Sequence, residues 1–98
     1  MLQKRFFKTK DECEVTFQFT PEDADQVVLV CEQNGWNPIP MTQNKAGAFR
    51  AKVRLPKGGE YQFRYLVDGV SWYNDEAADA YRPNEHGGDN GVVFTYSN

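Results

Sequence analysis

Trp36 and Trp72 both stand in polar, turn-prone tracts, Asn34-Gly35-Trp36-Asn37-Pro38 and Asp68-Gly69-Val70-Ser71-Trp72-Tyr73-Asn74-Asp75. An indole in a wet loop is costly unless something flat and partly apolar covers it. A sugar ring is such a body. One face carries C–H groups, and the hydroxyls around its rim need amide, carboxylate or guanidinium partners, which both tracts supply. The chemistry implied is stacking with hydrogen bonding and no covalent step. A second reading makes Trp36 a plug at one end of a core, and Tyr73 the buried aromatic beside Trp72. The polar neighbours favour an exposed platform.

Two further residues fit that platform. Arg64 lies on the polar parity of a strand whose other face is Tyr61, Phe63, Tyr65 and Val67. It points away from the core, where it either pairs with Glu60 or Glu76 or meets a ligand; exposed pairs of that kind add little stability. Asn90 offers donor and acceptor together, as a vicinal diol requires, although asparagine also shapes turns. Gly87, Gly88 and Gly91 are expected to let the backbone approach a ligand closely.

Catalysis finds less support. Asp75, Glu76, Asp79 and Glu85 raise the idea of a paired-carboxylate glycosidase, but they lie in a polar tract without an apolar pocket. A solvated or turn-capping role is expected for them. His86 is the sole histidine, and no nucleophile motif or phosphate-gripping loop accompanies it. Asp68-Gly69 lacks the acidic spacing of a calcium loop. Cys13 and Cys31 lack the spacing of a redox or zinc element and are expected to be reduced and buried. No catalytic residue, metal site or cofactor is expected.

Ninety-eight residues allow one domain with one core. No stretch approaches the roughly 18 apolar residues of a membrane span. The segment Met1 to Lys8 has basic residues without an apolar h-region, so no secretory signal and a cytoplasmic location are expected. Charge alternates in blocks: residues 1–10 and 45–64 are basic, residues 11–34 and 68–98 acidic, and the chain carries −3. No continuous basic face follows, which argues against nucleic acid as a partner.

The elements that must position these residues have period two. Val15, Phe17 and Phe19 alternate with Thr16 and Gln18, and Phe49, Ala51, Val53 and Leu55 with Arg50, Lys52 and Arg54. Val27 to Cys31 is continuously apolar, as in a strand covered on both faces. Pro56-Lys57-Gly58-Gly59 predicts a hairpin into the strand 61–67, and Asp68-Gly69 a tight turn into a short strand holding Trp72. Val92, Phe94 and Tyr96 alternate as the last strand. The first ten residues add an edge strand through Phe6 or Phe7, its basic residues protecting the edge. Asp75 to Tyr81 has room for one helical turn at most. Many short strands between turns indicate an all-β, immunoglobulin-like antiparallel β-sandwich filling residues 1–98.

Asn34-Gly35-Trp36, the tract Phe49 to Gly69 ending in Tyr65-Leu66-Val67-Asp68-Gly69, then Trp72, Asn74-Asp75 and Gly87-Gly88-Asp89-Asn90 resemble the family-48 carbohydrate-binding modules. This group includes the glycogen-binding domain of the AMP-activated protein kinase β subunit and the N-terminal early set domain of isoamylases and branching enzymes. The resemblance spans about residues 12–97 and implies a module standing without a catalytic domain. It implies an early set sandwich that binds α-1,4-glucan (glycogen, starch-like polymer or maltooligosaccharide). Trp36 and Trp72 would stack on glucose units, Arg64 would stand where the kinase module has lysine, and Asn90 would complete the site. The tract Tyr81 to Gly88 departs from the kinase pattern, in which a leucine enters the glucan helix. The alternative is a protein-interaction or regulatory domain acting with a glycogen-metabolising enzyme.

Overall fold

Alternation along Glu12–Phe19 buries Cys13, Val15 and Phe17 completely and leaves Glu12, Glu14 and Gln18 partly exposed. The same period organises the whole chain, described by a computed structural model over residues 1–96; the last two residues of the expected 1–98 domain, Ser97 and Asn98, lie outside the described residues. Ten strands follow in order: β1 Leu2–Phe6, β2 Glu12–Phe19, β3 Val27–Cys31, β4 Ile39–Pro40, β5 Thr42–Gln43, β6 Phe49–Pro56, β7 Glu60–Val67, β8 Ser71–Tyr73, β9 Ala80–Pro83 and β10 Asp89–Phe94. One 3₁₀ turn, Glu32–Asn34, interrupts them.

The strands form two antiparallel sheets. One has the order β1-β2-β6-β5; the other runs β4-β3-β7-β10-β9, with β8 also on β7. Their inner faces enclose Phe17, Leu29, Phe49, Leu55, Phe63, Tyr65 and Val93. Phe17 and Phe63 meet edge-on across the sandwich with centroids 4.9 Å apart, an arrangement favoured by the ring quadrupoles. The architecture is the all-β early set sandwich expected, and β1 is indeed an edge strand.

Pro56 to Gly59 does not make a hairpin. β6 pairs with β2 and β5, whereas β7 pairs with β3, β10 and β8, so this turn carries the chain from one sheet to the other. Thr95 secures it: Gly58 N–H donates to the Thr95 carbonyl at 3.0 Å, Thr95 N–H to the Gly59 carbonyl at 2.9 Å, and the Thr95 hydroxyl to the Pro56 carbonyl at 2.7 Å. The last strand also departs from expectation. Gly91 lies opposite Phe63 and Val93 opposite Tyr61, so these two face the core, while Asn90, Val92 and Phe94 take the outer parity. Asp75 to Tyr81 contains no helix; turns lead instead into β9, one of three short strands, with β4 and β5, that the sequence does not announce.

Asp75 is neither solvated nor exposed. It is 2% accessible, accepts the Tyr65 hydroxyl proton at 2.8 Å and the Ala77 N–H at 2.8 Å, and its carbonyl accepts from Tyr81. The buried carboxylate ties residues 75–81 to the central strand. Burial, the Asp75 charge and the hydrogen bond to it, in that order, push the Tyr65 phenol far above its ordinary range.

Cys13 and Cys31 are free and buried. Desolvation raises both thiols above their ordinary pKa of 9.0. Their stabilising contribution is therefore complete below pH 9.0 and declines as pH rises, because unfolding then releases protons the folded state retains. The melting temperature is expected to fall in a pH series above about pH 9, with a shallower slope in Cys31→Ala.

Candidate functional site

Residues paired across neighbouring strands share a face. On the outer face of the six-stranded sheet the register sets Val30 beside Arg64, Leu66 beside Trp72, Gln62 beside Val92, and Asn90 beside Arg82. One edge of β7 is divided between two partners. β10 pairs with Glu60 to Phe63 and β8 with Tyr65 to Val67, so Arg64 falls at the join, where neither competes for the space above it. The Val30 side of β3 forms the floor there, so this strand has core on one face and the cleft on the other. Three of the four expected site residues, Arg64, Trp72 and Asn90, are thus delivered to one surface by pairing alone.

Trp36 arrives from a loop. The 3₁₀ turn ends at Gly35 with φ 75°, and Trp36 itself has φ 65°. A bulky residue in the left-handed region is a strained choice that its surroundings must enforce. Two reciprocal bonds do so: Asn34 Nδ2 donates to the Asn37 carbonyl at 3.2 Å and Asn37 Nδ2 to the Asn34 carbonyl at 2.8 Å. Trp36 N–H also donates to the Cys31 carbonyl at 3.0 Å, fastening the loop to the end of β3.

Trp72 is held by a hairpin whose turn has left-handed φ at both Asp68 (51°) and Gly69 (73°), the geometry that matches strand twist. Asp68 Oδ1 accepts from the N–H groups of Asp25 and Gln26 at 2.9 and 2.8 Å, fixing the turn from outside. Asn74 Nδ2 donates to the Asp89 carbonyl at 2.7 Å and joins the end of β8 to the start of β10.

These pieces surround an open cleft of about 890 Å³ lined by Trp36, Arg64, Trp72 and Asn90 together with Val30 and Gln62. Pro83 to His86 form a further wall. Trp36 is 41% and Trp72 49% accessible; neither is a core plug, and Tyr73 is exposed too, tilted against Phe19. The Arg64 guanidinium lies 5.4 Å from the Trp72 ring centre, and its Nε is buried without a hydrogen-bond partner among the described residues. It does not pair with Glu60, which binds Arg82 and Tyr96 instead. Hydrogen bonds from Arg82, then from Tyr96, hold the Glu60 carboxyl below its ordinary value. The cation over the indole stiffens both side chains.

Asn90 is buried and engaged at both ends of its amide. Its Oδ1 accepts from Asn84 Nδ2 at 3.3 Å, and its Nδ2 donates to Gln62 Oε1 at 2.9 Å. Gln62 and Asn84 are site residues that sequence reasoning missed. Gln62 had a usable signal in sharing Arg64's parity two residues away; Asn84 had none, because its role depends on a loop closure. Gly91 does not serve a ligand. A Cβ there would meet Phe63 carbons at 3.3 Å and the Ala78 Cβ at 3.4 Å, so its bareness makes room for the core.

The arrangement can stack a flat apolar face against indole and donate hydrogen bonds from a guanidinium and amides at its rim. Among the described residues, no group of three or more His, Cys, Asp or Glu side chains is placed to hold a metal ion, and no helix is long and apolar enough to cross a membrane.

A family model described as the glycogen recognition site of AMP-activated protein kinase matches residues 13–95. No curated protein matches the chain. The match runs from β2 to just past β10 and includes every strand that builds the cleft, and on that extent the chain belongs to the family of the glycogen recognition site of AMP-activated protein kinase.

Proposed function

We propose that this domain binds α-1,4-linked glucan, as glycogen, starch-like polymer or maltooligosaccharide, without transforming it. The observation that carries the reading is the exposure of both indoles on one cleft with a guanidinium over one of them. Trp36 and Trp72 take the C–H faces of glucose units, Arg64 meets hydroxyls beside Trp72, and Asn90, tied to Asn84 and Gln62, backs the polar rim that Gln62 presents. Covering both indoles removes roughly 200 Å² of apolar surface, worth about 5 kcal/mol. Ordering the oligosaccharide and desolvating its hydroxyls offset part of this. Dissociation constants between about 10 µM and 1 mM follow.

Titration with maltoheptaose, followed by tryptophan fluorescence, tests this. Saturable quenching is expected, and Arg64→Ala should weaken binding by about tenfold, the loss of one charged hydrogen-bond donor. A flat signal to millimolar sugar contradicts the reading.

The family description names a recognition site on a kinase, and by extension we infer that the domain brings a glycogen-metabolising enzyme to its polymer in the cytoplasm. The outer face of the other sheet, with Arg50, Lys52 and Arg54 along β6, lies on the opposite side of the sandwich and stays open to a protein while the cleft holds glucan. A flat fluorescence titration together with saturable binding to such an enzyme would favour a purely protein-directed role.

A further inference from the structure

We propose that Gln62 is a specificity-determining residue of the cleft, locked as a hydrogen-bond donor by a relay of side-chain amides that starts in the Asn84–Gly88 loop. The proposal rests on the glucan reading above and names how that site selects the atoms it binds.

The two ends of an asparagine or glutamine amide have nearly the same shape, so only their partners decide which end is oxygen. Here the decision is made by main chain. His86 N–H and Gly88 N–H both point to one atom of the Asn84 side chain, at 2.9 and 3.1 Å. Backbone N–H groups only donate, so that atom is Oδ1. The other end of Asn84 is therefore a donor and meets Asn90 at 3.3 Å, which makes the Asn90 atom its oxygen. The remaining end of Asn90 donates at 2.9 Å to Gln62, which makes that atom Oε1. Gln62 is left presenting Nε2, with two hydrogens, on the cleft.

Each step has independent support from the fold. Gly87, with φ 85°, closes the loop so that residues 86 and 88 both aim at Asn84, and Asn84 N–H donates to the Gly88 carbonyl at 2.8 Å. Asn90 is buried, so its amide cannot turn outward to exchange partners with water. Gln62 N–H donates to the Glu32 carboxylate at 2.9 Å, anchoring the strand beneath its side chain. Among the described residues no protein acceptor meets Gln62 Nε2.

Two residues along β7, the Arg64 guanidinium is also donor-only. The floor between Asn90 and Trp72 is thus a line of donors. Ligand groups lying there must accept, which suits hydroxyl, ring and glycosidic oxygens and disfavours any group that only donates. A pair of hydroxyls meeting Gln62 and Arg64 would turn its lone pairs to the floor and its own protons outward. Arg64 Nε, buried and without a partner among the described residues, is left unpaired when the acceptor is missing, the circumstance in which hydrogen bonds discriminate most strongly.

The test uses calorimetric titration of maltoheptaose into the parent, Gln62→Glu, Asn84→Asp and the double variant. In Gln62→Glu one carboxylate oxygen still accepts from Asn90, but the outward atom changes from donor to acceptor. Binding about tenfold weaker is expected, the loss of one donor, with an unchanged melting temperature; Gln62→Met, which removes the outward donor together with the acceptor for Asn90, is expected to weaken binding likewise if the carboxylate disturbs folding. Asn84→Asp still accepts from His86 and Gly88 but donates nothing to Asn90, so the relay is free to reverse and affinity falls. The double variant should bind no more weakly than Gln62→Glu, because both changes act through one donor. Parent-like affinity of Gln62→Glu, or losses that multiply in the double variant, overturns the proposal. So does an Asn90 side-chain NH₂ signal that is unmoved by Asn84→Asp in NMR spectra of the free protein, a readout needing no sugar. If the parent itself fails to bind maltoheptaose, the glucan reading falls and takes Gln62's ligand with it, while the NH₂ signals still judge the relay.

Discussion

Trp36→Ala is expected to abolish retardation of the domain in a glycogen-containing native gel while lowering its melting temperature by less than about 5 °C. The magnitude follows from area. If the two indoles share about 5 kcal/mol of apolar burial on binding, losing one costs about 2.5 kcal/mol, a weakening of about 50-fold or more. Stability should respond little, because Trp36 is 41% accessible and makes its one described main-chain bond, to Cys31, through its backbone N–H. Alanine inherits the same left-handed backbone, so no strain is relieved that would blur the comparison. Trp72→Ala should behave alike, with one addition: Arg64 loses the ring it lies over. A large fall in melting temperature for Trp36→Ala would mark the indole as core after all.

Phe63→Ala gives the opposite result. Phe63 is fully buried, packs edge-on against Phe17 at 4.9 Å and against Tyr65 at 5.8 Å, and fills the space that Gly91 leaves. Emptying such a site costs about 3–5 kcal/mol, through lost transfer energy and the cavity left behind. A domain of this size has about 5–15 kcal/mol in total, so the melting temperature should drop by more than about 12 °C. The cleft lies on the other face of β7. The fraction still folded should therefore bind maltoheptaose as the parent does, and calorimetry on active protein should show reduced stoichiometry with an unchanged dissociation constant. A changed constant with full stoichiometry would mean that core packing shapes the cleft directly.

Much of this was legible in the residues, for identifiable reasons. β2 and β6 alternate polar and apolar side chains throughout, and β7 does so from Glu60 to Tyr65, so the face each of these residues occupies is written into its parity. That is why Arg64 reads as outward from sequence alone. The two tryptophans were legible because polar, turn-forming neighbours leave an indole nothing to pack on locally.

The misreadings are equally physical. Val92, Val93 and Phe94 are consecutive apolar residues, so they carry no phase. The core position beside them is Gly91, which has no side chain to announce it, so the sequence pattern alone sets the strand one residue out of phase. Pro56-Lys57-Gly58-Gly59 says that the chain reverses. It does not say whether the strands it joins hydrogen-bond edge to edge or face one another across the core, since both have one apolar face. Asp75 sits among polar residues in the connection after β8, and its buried carboxylate meets Tyr65, ten positions earlier on β7. The amide relay is the extreme case. Asn90 stands out as a candidate by itself, but its link to Asn84 and Gln62 is hidden until β7 and β10 pair, and long-range pairing is what local patterns do not encode.

The central claim is that two indoles on one cleft engage the same glucan chain. Following both indole Nε1–H signals by two-dimensional NMR through a single maltoheptaose titration tests it most directly. The account predicts that the two signals shift together with one common dissociation constant, in the range of about 10 µM to 1 mM. If only one signal moves, or the two saturate at different concentrations, Trp36 and Trp72 do not form one platform and the account is contradicted.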